Sequence, residues 1–103
     1  MPGKSEKLRK KDEDCIYVGG KPFMNYVTAV VMQFSSGGAN TVTIKSRGKF
    51  ISRAVDVAEV VRNRFMKDKI DVTKMEIGSE EFENEEGKNV RVSTMEITLK
   101  KLE

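Results

Sequence analysis

The sequence contains no histidine and a single cysteine, Cys15. The first absence removes the usual zinc clusters and the usual general base, and the second rules out an intramolecular disulfide. Together they favour a reducing, intracellular setting and leave little on which to build an enzyme. No apolar run approaches the roughly 20 residues that a membrane span needs, so no membrane partner is expected. The first residues are charged where a secretory signal would be greasy. Internal repeats are also lacking, and a chain of 103 residues can bury only one modest core. One domain over residues 14–103 is therefore expected.

Charge is abundant and unevenly placed. Residues 1–70 carry 14 Lys and Arg against 7 Asp and Glu, while residues 71–103 carry 5 against 9. The two parts are thus +7 and −4 within a chain of net charge +3. This asymmetry predicts a basic surface built by the early elements and a different task for the end of the chain. Residues 1–13 almost lack apolar side chains and read as a flexible charged tail, either a solubilising end or a phosphate-seeking arm.

From Cys15 to Gly19 the residues read as a short buried-type strand, closed by the turn residues Gly-Gly-Lys-Pro. Pro22 suits a first helical turn, where its missing N–H costs nothing. Phe23, Tyr26, Val27, Val30, Val31 and Phe34 then recur at helical spacing, up to Ser-Ser-Gly-Gly at 35–38. Next, Val42 and Ile44 alternate with Thr41, Thr43, Lys45 and Arg47, the pattern of a strand with one buried face, broken by Gly48. From Phe50 the spacing is helical again, with Ile51, Ala54, Val55, Ala58, Val61 and Phe65 on one face. Val57 and Val60 widen that band, which predicts a helix covered both by the core and by a second subunit.

The last third reads as two strands around a turn near residues 84–87. Val72 is out of step with Met75 and Ile77, and Val90 and Val92 are out of step with Met95, Ile97 and Leu99. Such phase changes predict a bulge, or a strand passing from one environment into another. The expected fold is α+β, a small two-layer sandwich of order β-α-β-α-β-β with a protruding C-terminal β-hairpin arm. A free ribbon tip is marginal in water, so a second chain or a ligand is expected to support it.

Lys45, Arg47, Lys49 and Arg53 span a strand end, a glycine turn and a first helical turn. Free backbone N–H groups and cations converging there would hold a phosphate, although a glycine with flanking cations is a weak motif and an ordinary polar loop fits as well. Lys21 occupies the equivalent turn one strand earlier. If the two strands are neighbours, the cations form one patch. Glu80, Glu81, Glu83, Glu85 and Glu86 lie at the hairpin tip without a rigid shell to make a metal site. Cys15 has no histidine to activate it and reads as a small hydrophobe. Phe65 and Met66 read either as a helix-end plug or as a protein contact.

Three segments, VGGKPFMNYV, IKSRGKFISRAVDVAEVVRNRF and VRVSTMEI, give the sequence a wider likeness: over about residues 14–101 it resembles the Alba family of archaeal chromatin proteins. The resemblance implies a non-enzymatic homodimer without a cofactor, binding double-stranded DNA with little sequence preference, in the cytoplasm and on the chromosome. Several relatives bind RNA as well. The family's DNA contacts fall on Lys21, Arg47 and Lys49, with Arg91 on the arm; Lys45, Arg53 and Lys88 are second-rank candidates, and Asn25 is a candidate hydrogen-bond donor. The family's dimer-to-dimer contact falls on Arg64, Phe65 and Met66, allowing higher assembly on DNA.

Two departures bear on affinity. Gly20 stands where relatives carry the first lysine of a pair, the position best known for acetylation. The segment from Glu80 to Lys88 holds five glutamates and one lysine, whereas an arm entering a narrow minor groove should be cationic. Weaker DNA binding than in typical relatives is expected. The rival readings are an RNA-binding protein, as a ribonucleoprotein subunit or RNA chaperone, and a protein-interaction scaffold with acidic arms.

Overall fold

Alternation in residues 41–47 and helical spacing on either side of them become layers in the computed structural model, which describes residues 14–102. The tail expected at residues 1–13 lies outside the described residues. The elements run β1 (Cys15–Tyr17), α1 (Phe23–Ser35), β2 (Thr41–Arg47), α2 (Ile51–Val60), β3 (Ile70–Glu83) and β4 (Asn89–Lys101). They form one mixed sheet of order β1-β2-β4-β3, in which β1 is parallel to β2 and the other neighbours are antiparallel. The architecture is the expected α+β order. No helix among the described residues is long and apolar enough to cross a membrane.

Helices cover one face of the sheet. Val42 and Ile44 of β2 stand opposite Leu99 and Ile97 of β4, and all four are buried with Tyr26, Val27, Val30 and Phe34 of α1. Phe23 and Val31, at the edges of the predicted α1 stripe, are half-buried against this cluster. Pro22 caps α1, and its carbonyl accepts the Asn25 N–H at 3.0 Å. The β1 strand is less buried than its composition predicts: Cys15 and Ile16 are half-buried and Tyr17 is exposed. It is an edge strand, paired on one side only.

α2 shows where helical spacing alone misleads. Ala54, Val57, Ala58 and Val61 are buried, so Val57 belongs to the centre of the core face, whereas Val55 is exposed. After Val60 the coil widens, and the Met66 N–H bonds to the Val61 carbonyl, five residues back, at 2.8 Å. The extra residue per turn shifts the inward phase by one. Met66, only 9% exposed, plugs the core, and Phe65 turns out at 50% exposure. Of the two residues, Met66 thus fills the helix-end plug, while Phe65 stays at the surface.

Of the two phase changes, only that in β3 is a bulge. Val72 pairs with Leu99 and Lys74 with Thr98, leaving Thr73 as the extra residue. β4 keeps an unbroken register from Asn89 to Lys101. Val90 and Val92 therefore lie on the sheet face opposite to Met95, Ile97 and Leu99, where the ribbon has left the helices behind. At the tip, Asn84 Oδ1 accepts the N–H groups of Glu86 (2.9 Å) and Lys88 (3.0 Å), and Gly87 takes a φ of 82°. The arm contributes to a longest dimension of 48 Å.

The end of α2 is pinned to β3 by charge. Both Glu59 oxygens accept from Arg62 at 3.0 Å, Asn63 adds a bond at 3.1 Å, and Arg62 reaches Asp71 at 3.4 Å. The Arg62 hydrogen bonds hold the Glu59 carboxyl below its ordinary range. A carboxylate depressed in the folded state stabilises above its unfolded pKa, and that contribution is lost as pH falls through the folded value. Glu59→Gln is expected to cost below about 1 kcal/mol at neutral pH, given its exposure, and to flatten the acid limb of stability. Urea unfolding of both proteins across the carboxylate range checks this; a variant curve parallel to the parent's would refute it.

Candidate nucleic-acid interface

Because β1 and β2 are adjacent and parallel, the turns that leave them lie at the same end of the sheet. Three hydrogen bonds and one ring contact hold them in place. The Val18 N–H donates to the Lys45 carbonyl at 2.9 Å. Arg53, from the first turn of α2, donates through Nη2 to the Lys21 carbonyl at 2.8 Å, and its guanidinium lies 6.0 Å from the Tyr26 ring centre. Tyr26 Oη in turn accepts the Lys21 N–H at 3.0 Å. Arg53 thus braces the Lys21 turn through Nη2.

The remaining candidates fall into two groups. Lys21 and Lys49 are exposed and make no ion pair with another described residue. Lys49 packs its ammonium 5.4 Å from the Phe50 ring centre. It follows Gly48, whose φ of 59° favours glycine and lets the chain turn sharply between two cations. Asn25 is exposed in the first turn of α1, beside the same rim. Lys88 is exposed at the arm's turn and also lacks an ion pair among the described residues.

The second group is already paired. Arg47 Nη1 lies 3.1 Å from Glu80 Oε1, with the guanidinium 5.8 Å from the Phe82 ring centre. Arg91 holds Glu81 Oε2 through Nε at 3.2 Å and Nη2 at 2.6 Å. Lys45 sits 3.9 Å from Glu96 and 5.5 Å from the Tyr17 ring centre. Partial burial pulls the Lys45 pKa down, but Cys15, Tyr17 and Glu96 outweigh that and leave it above its ordinary value. Lys45 stays charged at neutral pH.

Sequence reasoning did not single out Glu96, Tyr17 or Phe82, and saw Glu80 and Glu81 only as tip charges. Their roles follow from register: Lys45 faces Tyr17 on one side and Glu96 on the other, and Arg91 faces Glu81. A further surface is apolar. Met75 and Ile77 lie on the arm on the same sheet face as Ile97 and Met95, beyond the reach of the helices, and Ile77 is 82% exposed. Arg64 and Phe65 are exposed at the far end of α2. Among the described residues no group of His, Cys, Asp and Glu side chains is placed to hold a metal ion.

Comparison with known proteins places this geometry. The family described as Alba matches residues 15–79. A DNA/RNA-binding protein Alba of Methanocella arvoryzae is 51% identical over 90 residues, covering 87% of this chain and 92% of the relative. A DNA/RNA-binding protein Alba 1 of Archaeoglobus fulgidus is 53% identical over 89 residues, covering 86% and 97%. Among solved structures, Alba from Thermoplasma volcanium superposes with a TM-score of 0.77 at 48% identity, covering 84% of this chain and 98% of that one.

The Tyr26 hydroxyl is the simplest probe of how the rim is held. Tyr26→Phe keeps the buried ring and leaves the Lys21 N–H without its acceptor, at an expected cost of about 1 kcal/mol. Hydrogen exchange at the Lys21 amide should accelerate while the core amides of α1 stay protected. Unchanged exchange at Lys21 would show that the hydroxyl does not hold the turn.

Proposed function

The chain belongs to the Alba family, and from that premise we propose that it is a non-enzymatic nucleic-acid-binding protein that grips double-stranded DNA by its phosphates, as a homodimer on the chromosome. The observation that carries this reading is the joined pair of basic turns. Arg53 and Tyr26 hold the Lys21 turn against the start of α2, so Lys21 and Lys49 present from one rim ammonium groups that make no ion pair with another described residue. Lysines without an internal carboxylate are the cheapest to give to a phosphate.

The dimer rests on the arm. Met75 and Ile77 project from a ribbon with no helix behind it, and an apolar ribbon face of that kind is stable only when covered. A second copy of the same arm supplies the cover, and a two-fold axis doubles the basic rim. Ile77→Asp is expected to shift the protein from dimer to monomer in sedimentation velocity and to weaken duplex binding with it. A dimeric variant would remove the arm face from the interface.

Electrostatics sets the strength. The two rim lysines of each subunit, Lys21 and Lys49, make four per dimer, or roughly 3 to 4 units of slope in log K against log salt. Arg47 and Arg91 add less, because each must first leave a carboxylate. Gly20 is a place where binding can be strengthened: a Cβ built there meets no atom within 4 Å, and its φ is not in the left-handed range. Gly20→Lys is expected to raise duplex affinity and steepen the slope by about 2 units per dimer. Equal slopes for parent and variant would sink the phosphate-rim reading.

RNA is the second reading, favoured by the names of the relatives, which couple DNA with RNA. Contacts to phosphates from one basic face serve either duplex. Displacement of duplex DNA by a small molar excess of double-stranded RNA would make RNA the main partner.

A further inference from the structure

A groove of about 540 Å³ opens where β1 and β2 end, and its charged and aromatic lining includes Tyr17, Lys45, Arg47, Phe50, Glu80 and Glu96. The register explains why these residues meet. Tyr17 stands beside Lys45, Lys45 beside Glu96 and Arg47 beside Thr94, and Glu80 shares their face of the sheet one step up the arm. Tyr17 is 65% exposed, so a large flat ring lies open to the groove next to an ammonium group.

The charges in the groove are balanced, and this restricts what fits. Lys45 is paired with Glu96 and Arg47 with Glu80. A bare phosphate taking either cation would part it from its carboxylate and set two anions side by side. A ligand that satisfies both must bring an anion and N–H donors in one small body, with a flat face for Tyr17. We propose that the groove binds one unpaired nucleotide. Its phosphate is taken by Arg47 and Lys45, an exocyclic amine of its base donates to Glu96 or Glu80, and the base stacks on Tyr17. Duplex bases are excluded because their ring faces are already covered by stacking. The volume suits such a ligand, within the roughly 300–1,000 Å³ of small-molecule sites. The inference rests on the reading that this end of the sheet meets nucleic acid, but its stacking ring, Tyr17, and its carboxylate, Glu96, are not part of the Lys21 and Lys49 rim.

Fluorescence anisotropy with unstructured oligocytidine and oligouridine RNA, and with duplex DNA, tests it on the full chain. Tyr17→Ala should weaken oligocytidine about tenfold and leave duplex affinity unchanged, while Tyr17→Phe, which keeps the stacking face, should retain oligocytidine binding and report on folding. Oligocytidine should bind more tightly than oligouridine, which lacks the exocyclic amine, and Glu96→Gln should narrow that gap. Free cytidine monophosphate that displaces the strand near the strand's own Kd would make a free nucleotide the ligand; a strand that resists it there would assign the site to a nucleotide within a chain. Tyr17→Ala that weakens strand and duplex alike, or neither, overturns the groove, whereas loss of duplex binding in Lys21→Ala would still support the rim. No binding to any of the probes would instead bring down the nucleic-acid reading itself.

Discussion

The parallel pairing of β1 with β2 is the constraint from which the rest of the site follows. A parallel neighbour requires the chain to cross over through α1, so both strands end, and both turns begin, at one edge of the sheet. Only then can Arg53 reach the Lys21 carbonyl and Tyr26 the Lys21 amide. Had β2 returned antiparallel to β1, the two basic turns would sit at opposite ends of the sheet, with no common rim to present to a polyanion.

Charge in this protein is managed by pairing as much as by accumulation. The arm's glutamates do not simply add negative potential at a distance; Glu80 and Glu81 are within hydrogen-bond reach of the very arginines that the family resemblance assigns to DNA. Exposed pairs of this kind contribute little to stability, typically below about 1 kcal/mol, but they divide the basic residues into two groups. Among the described residues Lys21, Lys49 and Lys88 make no ion pair, whereas Arg47, Arg91 and Lys45 do. Arginines already matched by the arm's glutamates and a charge-balanced groove beside the rim are two consequences of one arrangement.

Much of the fold was legible because its periodicities are strong. Val42 and Ile44 against Thr41 and Thr43 announce a one-sided strand, and Phe23 through Phe34 announce α1; burial follows both patterns. The bulge at Thr73 was legible from the broken alternation of Val72 and Met75. The inverse roles of Phe65 and Met66 were not, because a single widened turn moves the inward direction by one residue and leaves no mark in composition. For the same reason of registry, Arg53 read as one more cation of a basic segment, whereas its guanidinium is directed back onto the backbone.

The class of the protein follows from its residues alone: the elements, their order, the asymmetry of charge, and the cations and glycine of the turns are local properties of consecutive residues. Which strand lies beside which, and therefore which cation meets which carboxylate, was decided only in the tertiary structure. Glu80 lies 33 residues from Arg47 and Tyr17 lies on a different strand from Lys45. Pairings across such separations depend on sheet order and register, which no local spacing encodes.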